Sequence, residues 1–174
     1  MDALTKRYIN DLAQRILSVY QITIPITNIE DIVRRMGGYI EEKYGFDDLC
    51  DGTIRKVEAD HFCIAISPFQ NEQRKAFTIA HELGHLFLHM GYGTDRKLWE
   101  EQDETVYRRF GTSNQEYQAN EFAAAFLMPI DVYKQKLEEY SVGDKVDISK
   151  VADYFNVSIS AASNRGKFLG YLVW

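Results

Sequence analysis

Between Arg74 and Gly91 the chain reads RKAFTIAHELGHLFLHMG, and no other stretch constrains the fold as much. Within it His81 and His85 stand four positions apart, with Glu82 directly after the first. Residues i and i+4 of an α-helix share one face a turn apart, so both imidazoles can approach a single metal ion. Glu82 lies about 100° further round the helix, a position suited to a base acting on water rather than to another ligand. The spacing has this meaning only in a helix, and the local pattern predicts one from about Glu72 to Met90. Asn71 is placed as N-cap, Glu72 falls in the first turn, and Gly91 can take the left-handed position past the end. Phe77, Ala80, Leu83, Gly84 and Phe87 recur at helical spacing, which predicts burial. Two imidazoles and a carboxylate on a buried helix carry a heavy desolvation cost unless something binds them. Gly84 costs about 1 kcal/mol relative to alanine inside a helix, so its presence predicts the close approach of another backbone or of a substrate.

The pattern is the H-E-x-x-H motif of zinc peptidases. Zinc takes imidazole nitrogen at roughly 2.0–2.1 Å, and a catalytic zinc uses three protein ligands and one open position. The candidates for the third ligand are His89, the acidic residues of the stretch that follows, Glu116 and Glu121. On a continuous helix His89 is about 12 Å of rise beyond His81, too far to share one ion. The longer H-E-x-x-H-x-x-G-x-x-H motif is absent as well, since Leu88 and Gly91 occupy the positions of its glycine and third histidine. His89 therefore reads as a structural residue at the helix end. Glu116 and Asn120 share one face of a second predicted helix, Ser113 to Met128, whose small Ala119 and Ala123 would let it pack tightly against the first. A carboxylate ligand with an amide one turn later makes physical sense, because the amide oxygen can accept a ring N–H from a liganding histidine. Glu116 could instead close a capping box with Ser113, although Thr112 and Gln115 offer another. Glu121 stays open as an alternative ligand.

The remainder of the chain supplies the frame. Leu4, Tyr8, Leu12, Ile16 and Tyr20 recur every fourth position, with Ile9, Ala13 and Leu17 beside them, and predict an amphipathic first helix. A capping box, Thr27 to Glu30, opens a short helix ending at Gly37-Gly38. Tyr39–Lys43, Thr53–Val57 and His61–Ile66 read as strands, the last two joined as a hairpin through Glu58 to Asp60. A strand just ahead of the histidine helix could offer its edge to an extended peptide, or merely cover the core. Tyr92 to Gly111 is expected to be a long loop, with or without a short helix, carrying Asp95, Glu100, Glu101, Asp103 and Glu104, either a lid or solvated surface. Pro129 stops the second helix and opens another reaching Tyr140. A polar turn, Ser141 to Lys145, follows. Ile148–Phe155, the turn Asn156-Val157, and a helix capped by Ser158 then form a helix-turn-helix-like pair.

The 174 residues suffice for one domain with a sizeable core. A net charge of −6 and a pI near 5.2 remove any whole-molecule attraction to nucleic acid. The terminal segment from Lys145 carries Lys145, Lys150, Arg165 and Lys167 against Asp147 and Asp153, too little positive charge to demand DNA. A polar N-terminus and the absence of an 18-residue apolar run argue against a leader and a membrane span. Cys50 and Cys63 are too few for a disulfide framework and read as reduced thiols of a cytoplasmic protein.

Taken together, Phe77-Thr78-Ile79-Ala80-His81-Glu82-Leu83-Gly84-His85, Glu116-x-x-Ala119-Asn120-x-Phe122-Ala123 and Leu127-Met128-Pro129 resemble the ImmA/IrrE family of bacterial and phage metallopeptidases. The resemblance runs from about Leu12 to Leu172. It implies a thermolysin-like core in which His81, His85 and Glu116 bind Zn2+, Glu82 is the catalytic base, and Asn120 supports a liganding histidine. It also implies a protein substrate, a helix-turn-helix repressor whose cleavage derepresses stress or mobile-element genes. The expected fold is α+β, a mostly helical zincin-like core at 1–145 with an antiparallel sheet of about three strands. A helix-turn-helix-like segment at 146–174 is expected to pack on that core. Tyr92 and Tyr107 are candidates to stabilise the oxyanion. The competing class is a non-catalytic, zinc-containing regulator that binds DNA or a protein.

Overall fold

Asn71 accepts a hydrogen bond from the Arg74 amide and starts helix α3 (Glu72–Leu88). The helix ends at His89, and Gly91 follows with φ +82°. From Thr78 to Phe87 every residue of α3 is buried, which makes it the central element. The computed structural model describes residues 1–46, 51–102 and 114–173. The other helices are α1 (Ala3–Val19), α2 (Ile29–Arg35), α4 (Arg96–Glu100), α5 (Asn114–Leu127), α6 (Ile130–Glu139), α7 (Ile148–Phe155) and α8 (Ile159–Phe168). The strands are β1 (Gly38–Glu42), β2 (Gly52–Glu58), β3 (His61–Ile66) and the two-residue pair β4 (Ser141–Val142) and β5 (Lys145–Val146). The architecture is α+β, as expected.

The three-stranded sheet has the order β1-β3-β2. β2 and β3 are antiparallel, joined by the tight turn at Ala59-Asp60, but β1 lies parallel to β3. The expected all-antiparallel sheet is therefore corrected to a mixed one. The reason is visible in β3, which is buried at each position from Phe62 to Ile66. A strand buried on both faces belongs in the middle of a sheet, so β1 takes its free side and the chain crosses over before β2. The edges are thus β1 and β2, not the strand that leads into α3.

Other local expectations shift by small amounts with clear causes. α1 buries Ile9, Ala13, Ile16 and Leu17, whereas Leu4 and Tyr8 are exposed. A strict every-fourth-residue stripe drifts about 40° per step around a helix, so it cannot stay on the core face for long. Asn28, not Thr27, caps α2 by accepting from the Asp31 amide. The polar turn after α6 is the small β4–β5 ribbon. Cys63 is buried, and burial pushes its thiol up to about 11; Cys50, Tyr107, Thr112, Ser113 and the Asp103–Glu104 part of the acidic stretch lie outside the described residues.

A polar brace ties the C-terminal helices to the centre. Arg165 of α8, 1% exposed, donates to Glu121 Oε1 of α5 (2.9 Å), to Asn10 Oδ1 of α1 (2.7 Å) and to the Met128 carbonyl (3.1 Å). Asn10 also donates to Glu121 Oε1 at 2.7 Å. No fully buried side-chain nitrogen or oxygen of Arg165, Glu121 or Asn10 lacks a partner, which is the condition for a buried ion pair to be tolerated. Tyr133 of α6 adds a hydrogen bond to the Ala162 carbonyl at 2.6 Å. Replacing Arg165 by leucine strands the Glu121 carboxylate and should cost about 3–5 kcal/mol, read as a lower urea midpoint. Pairing Arg165→Leu with Glu121→Leu should recover most of that loss; a wild-type midpoint for the single variant would show that the brace contributes nothing.

Candidate metal centre

The site is built where α3 crosses α5 at very short range. A Cβ on Gly84 would lie 3.0 Å from Ala119 Cα and 3.1 Å from the Ala119 carbonyl oxygen. The glycine thus does what its helical cost predicts: it admits a second backbone. Ala119, fully buried, presents the matching small side. This crossing brings the α5 carboxylate onto the α3 histidines.

His81 Nε2 and His85 Nε2 are 3.0 Å apart. Glu116 Oε2 is 3.2 Å from the first and Glu116 Oε1 3.3 Å from the second. These three side chains form the group among the described residues able to hold a metal ion, with ligand atoms all within 4.8 Å of one another. Ligand atoms roughly 2.0–2.1 Å from a tetrahedral ion lie about 3.3 Å apart, close to the distance from each histidine nitrogen to its nearest Glu116 oxygen. Two imidazoles and a carboxylate are also a donor set that zinc accepts.

The hydrogen bonds around the group agree with that use. His81 Nδ1 is 2.9 Å from Asn120 Oδ1. An amide oxygen can only accept, so His81 carries its proton on Nδ1 and turns a lone pair at Nε2 toward the other two residues. Asn120 is where the sequence placed it. His85 Nδ1 faces His89 Nδ1 at 3.0 Å, and His89 Nε2 faces Gln118 Oε1 at 3.0 Å. Burial holds His89 below the usual imidazole range, partly offset by the Gln118 bond. His89 is outside the group that could hold an ion, as its helical rise requires, but it touches a member of that group. Its i+4 spacing from His85 was the available signal; nothing in the sequence pointed to Gln118.

His81, Glu82 and His85 are each 1% exposed. The Glu82 carboxylate lies toward the start of β2, where a Cβ on Gly52 would come within 3.3 Å of Glu82 Oε1 and 2.6 Å of Thr78 Cγ2. Arg74 holds that end of β2 in place, its Nε donating to Asp51 Oδ2 at 2.9 Å. Gly52 and Thr78 were not singled out by the sequence. Beside the site a cleft of about 980 Å³ runs between α3, α5 and α8; Thr78 and Asn120 line it, whereas His81, Glu82, His85 and Glu116 do not.

Two candidates take other roles. Glu121 is the partner of Arg165, not a third ligand. Tyr92 is not an oxyanion donor: its hydroxyl donates to the Met36 carbonyl, with the Asp60 carbonyl 3.2 Å away, and its ring stands edge-on to Phe62 and Trp99. Gly84→Ala should force α3 and α5 apart, costing roughly 1–3 kcal/mol of stability in thermal unfolding. An unchanged unfolding temperature would mean that the crossing is not tight.

Comparison with known proteins fits this geometry. No curated protein matches the chain. A solved structure described as a Mycobacterium tuberculosis transcriptional regulator superposes with a TM-score of 0.60 at 18% identity, over 91% of this chain and 46% of that one. The likeness is one of fold, and the chain spans under half the length of that protein. The profile of the peptidase M78 family, described as an IrrE N-terminal-like domain, matches residues 27–167, so the chain belongs to that family.

Proposed function

We propose that this chain is a zinc-dependent endopeptidase that cuts a specific protein in the cytoplasm, with His81, His85 and Glu116 as metal ligands and Glu82 as catalytic base. The observation that carries this reading is the convergence of His81 Nε2, His85 Nε2 and Glu116 at 3.0–3.3 Å in a buried setting. Membership of a peptidase family points the same way. When bound, the metal supplies Lewis acidity at the scissile carbonyl and a more acidic water. Glu82 receives the proton of the attacking water on its carboxylate and delivers it to the leaving amine. Asn120 keeps the His81 ring turned toward the ion through its bond to Nδ1.

The substrate would lie extended along β2. That strand pairs only with β3 among the described residues, so its outer edge can accept main-chain hydrogen bonds. Gly52, at its start, sits against Glu82 and Thr78, and a peptide added to this edge would run past the base. The partner we infer is a helix-turn-helix repressor, in line with the family resemblance and with a structural neighbour described as a transcriptional regulator. Among the described residues no helix is long and apolar enough to cross a membrane.

A non-catalytic DNA-binding regulator is the competing reading, and charge disfavours it. Arg165, a main source of positive charge near the C-terminus, is buried against Glu121, and Lys150 is paired with Asp147. We take residues 146–174 as a segment packed on the core at 1–145, not as an independent reading head.

Glu82→Gln should keep a wild-type zinc-to-protein ratio while slowing cleavage of a co-encoded repressor by at least about 10²-fold. Undiminished cleavage would transfer the base to another residue. Glu116→Ala should lower zinc content in elemental analysis, and an unchanged ratio would remove Glu116 from the ligand set.

A further inference from the structure

We propose that His89 and Gln118 form a hydrogen-bond relay that fixes His85 in the tautomer carrying its proton on Nδ1. The inference rests on the reading of His81, His85 and Glu116 as metal ligands and concerns how the second histidine is held for that task. The relay runs away from the ligand group: His85 Nδ1 to His89 Nδ1 at 3.0 Å, then His89 Nε2 to Gln118 Oε1 at 3.0 Å.

The direction of each bond follows from the last member. The Gln118 oxygen is an acceptor, so His89 must carry a proton on Nε2. A neutral His89 then has its lone pair on Nδ1. Two ring nitrogens facing each other at hydrogen-bond distance share one proton, and that proton must therefore reside on His85 Nδ1. His85 is left with its lone pair on Nε2, 3.0 Å from His81 Nε2 and 3.3 Å from Glu116 Oε1; these two Nε2 lone pairs face each other, a pairing that a bound cation would satisfy and that an added proton has to bridge in the metal-free chain. Reversing the relay would place a proton on His85 Nε2, in the space where an ion would sit.

The two ligand histidines are thus held by the same chemistry from different sources. For His81 the acceptor is a carboxamide oxygen, that of Asn120. For His85 it is an imidazole nitrogen, itself oriented by a carboxamide oxygen. Both carboxamides belong to α5, which also carries Glu116. His89 is the C-cap residue of α3, and its backbone is held by the hydrogen bond its amide N–H donates to the His85 carbonyl. His89 and Gln118 are positioning residues, since neither joins the ligand group.

The test uses the full chain. Long-range 1H–15N spectra of the metal-free protein, with the rings assigned through single variants, should show His85 protonated on Nδ1 and His89 on Nε2. The opposite pattern at either ring overturns the relay. Zinc affinity is then read by competition with a chromophoric chelator. His89→Leu and Gln118→Leu should each weaken zinc about 10–100-fold, whereas His89→Asn, whose oxygen falls where Nδ1 stood, should stay within about threefold of wild type. Equal losses for His89→Asn and His89→Leu would reduce His89 to a packing role and overturn the proposal. Should the His89 variants fail to fold, Gln118→Leu and the wild-type spectra decide. A wild-type chain that binds no zinc removes the metal reading while the spectra still judge the relay. A wild type that binds zinc, with variants that bind it equally well, removes the relay alone.

Discussion

Everything at the centre of this molecule depends on how closely α3 and α5 approach. The space at Gly84 leaves the Ala119 backbone against α3, only 3.0 Å from where a Cβ on Gly84 would stand. Helix pairs normally sit about 8–10 Å apart depending on the side chains at the contact, and small residues there favour the short end. Leu83, Phe87, Phe122 and Phe126 all belong to the buried core, and Phe87 and Phe122 meet across the pair with rings tilted by 31° and centroids 5.9 Å apart. The polar site is therefore a by-product of hydrophobic packing: burial sets the distance, and the distance sets which donors converge.

Much of this was legible in the sequence because it is written in helical periodicity and in caps. His81, Glu82 and His85 lie within one helix, so a 3.6-residue repeat is enough to place them. Glu116 and Asn120 lie within another, and the small residues Gly84 and Ala119 announce that the two helices touch. The start of α3 at Asn71, and the bounds of α7, follow from local signals alone. What was not legible depends on contacts across the chain. The parallel placement of β1 beside β3 is decided by which edge of β3 is free, and no residue of β1 encodes that. Tyr92 looked available for chemistry because its hydroxyl has no visible partner in sequence; in the fold, Met36, 56 positions away, supplies one. Gln118 was missed for the same reason, since it meets His89 across 29 positions.

The same distinction explains Glu121. In sequence it is a carboxylate next to Asn120 on a helix suspected of carrying a ligand, so it competes with Glu116. Around the helix it points elsewhere, toward α1 and α8, and there it meets a buried guanidinium. Burying a carboxylate without a cation is costly, and Glu121 is the buried one of the two. Arg165 serves Glu121, and a metal ion would serve Glu116. One helix thus holds a buried acid, Glu121, paired with a residue of the chain, and a partly exposed one, Glu116, that the proposed ion would balance.

That arrangement gives α8 a structural part in the site that its helix-turn-helix-like appearance does not suggest. Arg165 is anchored to Glu121, Asn10 and the end of α5 at once. The next residue before Glu121 is Asn120, which orients His81. A shift of α8 would be felt first at Glu121 and then, through one peptide unit, at the residue that sets the tautomer of a ligand. The Arg165 charge that could serve a DNA-reading helix is instead turned inward, onto Glu121 of α5. The geometry ties the C-terminal pair of helices to α5, the helix that carries Glu116, and the face that α8 leaves exposed borders the cleft beside the candidate centre.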